Sequence, residues 1–342
     1  MTPTTVHTEM EHAGDDCDDY VLGFALETAK RGLQVAVVTL VDVDGSSPWR
    51  PGAQMAVSES GEWAGYLSGG CIERAVAAEA VQAMADRRSR RIRYGAGSPY
   101  MDIRLPCGSA IELVVDVHLE TEELEKADDR HRQRRQAAIA VPDPGSVGPD
   151  GASGPFLRRY LPRKRLVVAG IGPIAASLAR LSHAAGYEVV LASPDERTLT
   201  APSRPGFAKL PVGPSSDMAD VVIDGRTAVA LAFHDHEWEA NLLPRILASD
   251  AFYVGALGSE RTHELRIERL AEKGLRSEGQ RRIRGPAGLL PHAKGASEIS
   301  VSILAEMAEA EAAAVDACQL FCAFAGDAAG TYARSRSGRE EA

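Results

Sequence analysis

A chain of 342 residues is long enough for about two domains, each able to bury its own core, and 44% hydrophobic with 25% charged residues is an ordinary globular composition. A net charge of −10, from 38 basic and 48 acidic residues, argues against a protein that tracks nucleic-acid phosphates, and aromatics at 5% argue against base-stacking platforms. No apolar stretch reaches the length of a membrane span, and the first twenty residues are polar and acidic with no signal core.

Five cysteines form an odd set without a regular framework, which reads as free thiols in a reducing cytoplasm. The expectation is therefore a cytoplasmic protein with no nucleic-acid or membrane partner.

In chain order, residues 1–17 look disordered and Asp18 to Arg31 forms a short helix. Leu33 to Val43 is too continuously apolar to be half exposed, so it reads as a buried strand. Ala53 to Val57 and Glu62 to Leu67 flank the turn residues Ser58-Glu59-Ser60-Gly61, a hairpin. Ser68-Gly69-Gly70-Cys71-Ile72-Glu73 then leads into an alanine-rich helix, roughly Ile72 to Asp86, with apolar residues at helical spacing. Arg90 to Tyr94 and Ile111 to Val117 are two more strands, completing an α+β domain over 18–118.

Residues 119–162 hold a charge-dense, solvated helix and two strands around a Pro/Gly-rich stretch that marks a linker or hairpin.

Residues 163–315 read as a Rossmann-like domain, a doubly wound parallel sheet with helices on both faces, and 326–342 as a mobile tail. The expected strands are 165–169, 187–192, 220–223, 228–233 and 251–254; the expected helices run from His236, Glu260 and Ala296. Cys318 and Cys322 stand four apart in an alanine-rich segment, read as helix packing rather than a metal pair.

Cys71 carries the sharpest chemistry. A thiol delivered by a glycine turn to a helix start lies near unsatisfied N–H groups and the positive end of the helix dipole, which favour thiolate. Thiolate attacks electrophiles, carries sulfur or binds a soft metal. The plainer reading is a small residue packed under a tight turn.

Gly170-Ile171-Gly172-Pro173-Ile174-Ala175 places Gly170, Gly172 and Ala175 where a dinucleotide fingerprint needs them, after a strand and before a helix. The next strand ends Leu191-Ala192-Ser193-Pro194-Asp195, so the expected ribose-binding carboxylate is displaced into a loop. Two readings stay open, an NAD(P) site or a fold that cradles another phosphate-bearing ligand or serves as scaffold. His234 and His236 follow one strand, as metal ligands or as cleft contacts beside a capping Asp235. Gly255, Gly258 and Ser259 with Arg261 form a candidate anion cradle.

Three Gly-rich elements, GSSPWRPG, SGGCIE and SPYMDIRLPCG, resemble those of the XdhC/CoxI family, accessory factors of molybdenum hydroxylases; VGALGSER and GLLPHAKGASEISVSIL resemble it too. The resemblance implies a protein that binds molybdenum cofactor (molybdopterin), supports its sulfuration and inserts it into an apo-hydroxylase of the xanthine dehydrogenase or carbon monoxide dehydrogenase type. It further implies a cysteine desulfurase as partner, a homodimer, and a chaperone rather than a turnover enzyme. On that reading Gly45, Ser46, Arg50, Gly69, Gly70 and Gly108 bind the cofactor. Cys71 ligates its molybdenum or relays sulfur, and Cys107 is either a second thiol or a turn residue. The alternative is a stand-alone NAD(P)-dependent oxidoreductase using Cys71, His234 or His236.

Overall fold

The apolar run after residue 33 becomes a strand because both of its faces are covered. The computed structural model describes residues 18–98, 109–142, 156–201, 207–213, 218–233, 236–275, 277–317 and 322–324. These form two compact units, one of residues 18–162 with 322–324 and one of residues 163–317. Both tails expected to be disordered lie outside the described residues, as do Cys17, Cys107, Gly108, His234, Asp235 and Cys318.

In the first unit α1 (Asp18–Lys30) precedes β1 (Val35–Asp44), β2 (Gln54–Ser58), β3 (Trp63–Ala64), α2 (Glu73–Asp86), β4 (Arg90–Gly95) and β5 (Ala110–Asp116). The strands pair antiparallel in the order β3-β2-β1-β5-β4. Successive side chains of β1 point to opposite faces. Ala36, Val38 and Leu40 pack with Val76, Ala80 and Ala83 of α2, while Val37 packs with Val21, Leu22 and Leu26 of α1. The β2–β3 turn closes where the sequence expects it, with Gly61 at φ 83° donating its N–H to Ser58 O at 2.9 Å.

Next come α3 (Thr121–Arg132) and the antiparallel strands β6 (Ala137–Val141) and β7 (Phe156–Tyr160). Charge density predicts a solvated α3, yet Leu124, Ala127 and His131 are buried. Spacings of three and four put them on one stripe, enough to dock the helix on α1.

The second unit runs β8 (Arg165–Gly170), α4 (Pro173–Ala184), β9 (Glu188–Ser193), α5 (Glu196–Thr200), β10 (Ala208–Pro211) and β11 (Thr227–Ala232). It continues with α6 (His236–Leu247), β12 (Tyr253–Ala256), α7 (Glu260–Glu272), α8 (Ser277–Gln280), β13 (Ile283–Arg284) and α9 (Gly295–Ala317). All pairings are parallel, in the order β10-β9-β8-β11-β12-β13, the doubly wound arrangement expected of a Rossmann-like sheet. Leu166 and Val168 face Leu178 of α4 and Met307 of α9 on one side. Val167 and Ala169 face Leu242, Leu243 and Ile246 of α6 on the other.

Two expectations are corrected. Asp220 to Ile223 is not a strand. The Val222 carbonyl accepts from Arg165 Nη1 at 2.8 Å and the Val221 carbonyl from Arg245 Nη2 at 2.9 Å, so guanidiniums take the place of a neighbouring strand. The outer strand of that half is β10, which the sequence reading lacks. Cys322 does not sit on a helix either. It opens β14 (Cys322–Phe324), which pairs antiparallel with β7 in the first unit.

Candidate functional site

The structure brings the first two motifs of the first unit together at one end of its sheet, while residues 99–108 of the third lie outside the described residues. GSSPWRPG is the turn between β1 and β2: Gly52 donates its N–H to Leu40 O at 2.6 Å, and Ala53 donates to Arg50 O at 3.1 Å. Gly45, at φ 96°, lies so close to Ser109 that an added Cβ would stand 3.0 Å from Ser109 Cβ. Asp44 pairs with Ala110 across β1 and β5, so the strand that follows the third motif begins beside the first motif. The second motif is tied in by Trp49, whose Nε1 donates to Ser68 O at 2.9 Å. Arg93 on β4 donates to Asp44 Oδ2 and to Glu112 Oε1, both at 2.9 Å, and Arg91 also pairs with Glu112.

Residues 65–72 connect β3 to α2. Gly65 is required by packing, because a Cβ would lie 2.3 Å from Gln54 O. The loop is then organised by one buried carboxylate, 2% exposed, that the sequence reading left unused. Glu73 Oε1 accepts the N–H groups of Leu67 at 3.1 Å and Ser68 at 2.8 Å, and Oε2 accepts that of Ile72 at 3.1 Å. Ser68 Oγ reaches both oxygens, at 3.0 and 3.1 Å, and accepts the N–H of Cys71 at 3.2 Å. A buried carboxylate is tolerable only when its oxygens are satisfied in this way.

Cys71 is a free, exposed cysteine two residues before the first residue of α2. Gly70 has φ 94°, a region that favours glycine. Gly69 has neither a positive φ nor a steric need, since a Cβ on it would meet nothing within 4 Å. Its missing side chain leaves bare, exposed backbone beside the thiol. Arg50 and Arg74 are exposed and have no ion pair among the described residues. Arg74 sits in the first turn of α2 and was not singled out from sequence; an i+3 count from Cys71 would have found it. No group of three or more His, Cys, Asp or Glu among the described residues could hold a metal ion. A metal at Cys71 would therefore bring its other ligands with it.

The glycine loop of the second unit is closed from inside. Gly170 is forced by contact with β11, where a Cβ would lie 2.5 Å from Ala232 O. The Ile171 N–H goes to Ala232 O at 3.2 Å and the Gly172 N–H to Thr198 Oγ1 at 2.8 Å, and Pro173 has none. Thr198 in turn donates to Asp195 Oδ2 at 2.6 Å, while Asp195 caps α5 through the Thr198 N–H at 2.9 Å. That hydroxyl, with the nearby backbone N–H groups and Arg197, holds the Asp195 carboxyl below its usual value. β9 ends on buried Ser193, which has no carboxylate to offer a ribose. Ala175 is fully buried at the α4 contact.

The loop after β12 is likewise built from structural contacts. A Cβ on Gly255 would strike the Tyr253 hydroxyl, which donates to buried Glu306 at 2.7 Å. Gly258, at φ 144°, packs on Thr262, and Ser259 Oγ caps α7 by accepting the Thr262 N–H at 3.2 Å. Buried Arg266 pairs with Glu239 of α6 (2.6 Å, both side chains 2% exposed) and donates to Leu257 O. His236 opens α6.

Residues 28–95 match the model of the XdhC and CoxI family, and residues 166–307 match that of the XdhC Rossmann domain. The chain is 35% identical over 303 residues to the molybdenum cofactor insertion chaperone PaoD of Escherichia coli K12, covering 85% of this chain and 88% of that one. It is 25% identical over 314 residues to a probable xanthine dehydrogenase subunit of Bacillus subtilis, covering 80% of this chain and 92% of that protein. A crystal structure described as a xanthine dehydrogenase from Bacillus halodurans shares the fold, with a TM-score of 0.68 at 19% identity over 86% of this chain and 96% of that one. With these matches spanning both units, the chain belongs to the XdhC and CoxI family.

Proposed function

We propose that this chain binds molybdenum cofactor and inserts it into an apo-hydroxylase of the xanthine dehydrogenase type. Similarity over 85% of the chain to an insertion chaperone supports this, but the observation that carries it is the Cys71 loop. There, an exposed sulfur, bare glycine backbone and the Arg74 guanidinium follow one another within residues 69–74, and Arg50 lies in the β1–β2 turn that Trp49 ties to Ser68; neither guanidinium has an ion pair among the described residues. The cargo presents a molybdenum that accepts soft sulfur ligands and a phosphate that accepts charge-assisted hydrogen bonds. Cys71 would take the metal end. Arg50 and Arg74, with the backbone of Gly45, Ser46, Gly69 and Gly70, would take the anionic end. Support of sulfuration through a cysteine desulfurase, service to carbon monoxide dehydrogenase-type clients, a homodimer and a cytoplasmic location complete the proposal. So do contributions from Cys107 and Gly108.

The test is anaerobic co-purification followed by metal analysis and release of the pterin as a fluorescent derivative, on the native chain and on Cys71→Ala. Cofactor and activation of an apo-hydroxylase are expected with the native chain and absent with the variant. Full retention of both by the variant overturns the role of Cys71. The competing NAD(P)-dependent oxidoreductase reading finds little support. Three successive positions after Gly170 offer no free N–H to a pyrophosphate.

A further inference from the structure

We propose that Glu73 is the positioning residue of this site, fixing the backbone of residues 67–72 so that sulfur and bare glycine backbone are presented together. The inference rests on the reading that Cys71 is the working thiol. Its physical basis is separate. The Glu73 carboxylate accepts three backbone N–H groups from both ends of the loop and both contacts of Ser68 Oγ, while Ser68 Oγ also holds the Cys71 N–H. Among the described residues no side chain caps the start of α2, so the carboxylate of its first residue turns back into the preceding loop instead. It does the work that a cap would do one turn earlier. Trp49 extends the clamp: its indole N–H holds the Ser68 carbonyl, so the β1–β2 turn carrying Arg50 is registered against the same loop.

A glycine pair would otherwise let this loop sample many shapes. A soft ligand and an anion cradle act on one cargo only if their separation is fixed, and no side chain of Gly69 or Gly70 can fix it. Glu73 supplies that constraint from beneath while leaving the outer surface clear, since nothing lies within 4 Å of a Cβ on either glycine.

The test compares Glu73→Gln with Val76→Ala, which removes two methyl groups from a fully buried position on the same helix and none of the side-chain hydrogen bonds of the loop. Amide hydrogen exchange on the otherwise native chain is the first measurement. The second is the spectrum of a nitroxide attached to Cys71, with the other four cysteines replaced by serine. In Glu73→Gln, the amides of Leu67, Ser68 and Ile72 should exchange at least tenfold faster and the nitroxide should become mobile. Activation of apo-hydroxylase, assayed well under the melting temperature, should fall at least tenfold. Val76→Ala should lower the melting temperature yet change none of the three.

If Glu73→Gln does not fold, Ser68→Ala, which removes the hydroxyl contacts alone, should show the same local loosening to a smaller degree. Protected amides and an immobile label in the carboxylate variant overturn the proposal. So does equal loosening in Val76→Ala, which would make the effect one of general stability. Should Cys71→Ala keep full activation, the thiol assignment falls, and the exchange data still decide the role of Glu73.

Discussion

The hydroxyl of Thr198 accepts the backbone N–H of Gly172 at 2.8 Å, filling from within the position that a pyrophosphate would fill in a dinucleotide-binding loop. Because the same hydroxyl donates to Asp195, one oxygen of the displaced carboxylate of β9, Oδ2, is committed to a cap. Titration with NADH or NADPH should therefore show no saturable binding tighter than about 1 mM, where only some 4 kcal/mol is available. Micromolar affinity measured by calorimetry or fluorescence would show that the loop opens.

The glycines of the β3–α2 connection should separate cleanly. Gly65→Ala drives a Cβ into Gln54 O and should destabilise the first unit by about 2 kcal/mol or more. The Cβ of Gly69→Val meets nothing within 4 Å at an exposed position, so the variant should leave the melting temperature unchanged while cofactor retention collapses. A stable Gly69→Val protein that still co-purifies with full cofactor would remove that backbone from the site.

Arg50→Gln and Arg74→Gln each delete one exposed cation that has no ion pair among the described residues. Each should weaken cofactor retention about tenfold, the size of one charge-assisted hydrogen bond, with no change in thermal stability. Unaltered retention in both would move the anionic end of the cargo elsewhere.

Acid should weaken the first unit through Glu112. Burial works to raise its carboxyl, but the hydrogen bonds and charges of Arg91 and then Arg93 outweigh that and hold it below 4.5. The unfolded chain therefore takes up this proton at a higher pH than the folded one. The stabilisation is complete above the unfolded value and drains away as pH falls through the lowered one. Urea midpoints should hold from pH 7 down to about one unit above the ordinary glutamate value and then drop as pH falls through and below it, and Glu112→Gln should flatten that part of the profile. Parallel profiles for the two proteins would rule the ion-pair cluster out as the cause.

Glu239 and Arg266 form a buried pair that also holds the Leu257 carbonyl. Losing one partner strands a charge, so Glu239→Gln or Arg266→Met should each cost about 3–5 kcal/mol in the second unit. The double variant should recover a good part of that loss in a denaturant cycle. Single losses below about 1 kcal/mol would mean that water reaches the site.

The elements that were legible in the sequence are those whose pattern was set by local packing. The run ending at Val43 announced a two-faced strand, and Ser58 to Gly61 announced the β2–β3 turn. The expected second-unit strand starting at Arg165, followed by Gly170 and Gly172, likewise announced a strand, turn and helix. What escaped depended on distant partners. Asp220 to Ile223 looks like a strand until Arg165 and Arg245 claim its carbonyls. Cys322 looks helical until β7 pairs with it. Thr198 belongs to no motif and Glu73 only closes SGGCIE; the importance of both lies in which backbone N–H groups happen to fall within reach. The thiol was visible from its glycines; the carboxylate that sets its loop was not.

β14 joins the first unit after the chain has already run through the whole second unit. During synthesis, then, the outer edge of β7 stays unpaired until the ribosome has made everything in between. Shortening the gene just past α9 would leave that edge open to strand exchange with other molecules. The Rossmann-like half is thus an insertion held at both ends, and a clean separation of the two halves requires reconnecting the chain rather than merely cutting it.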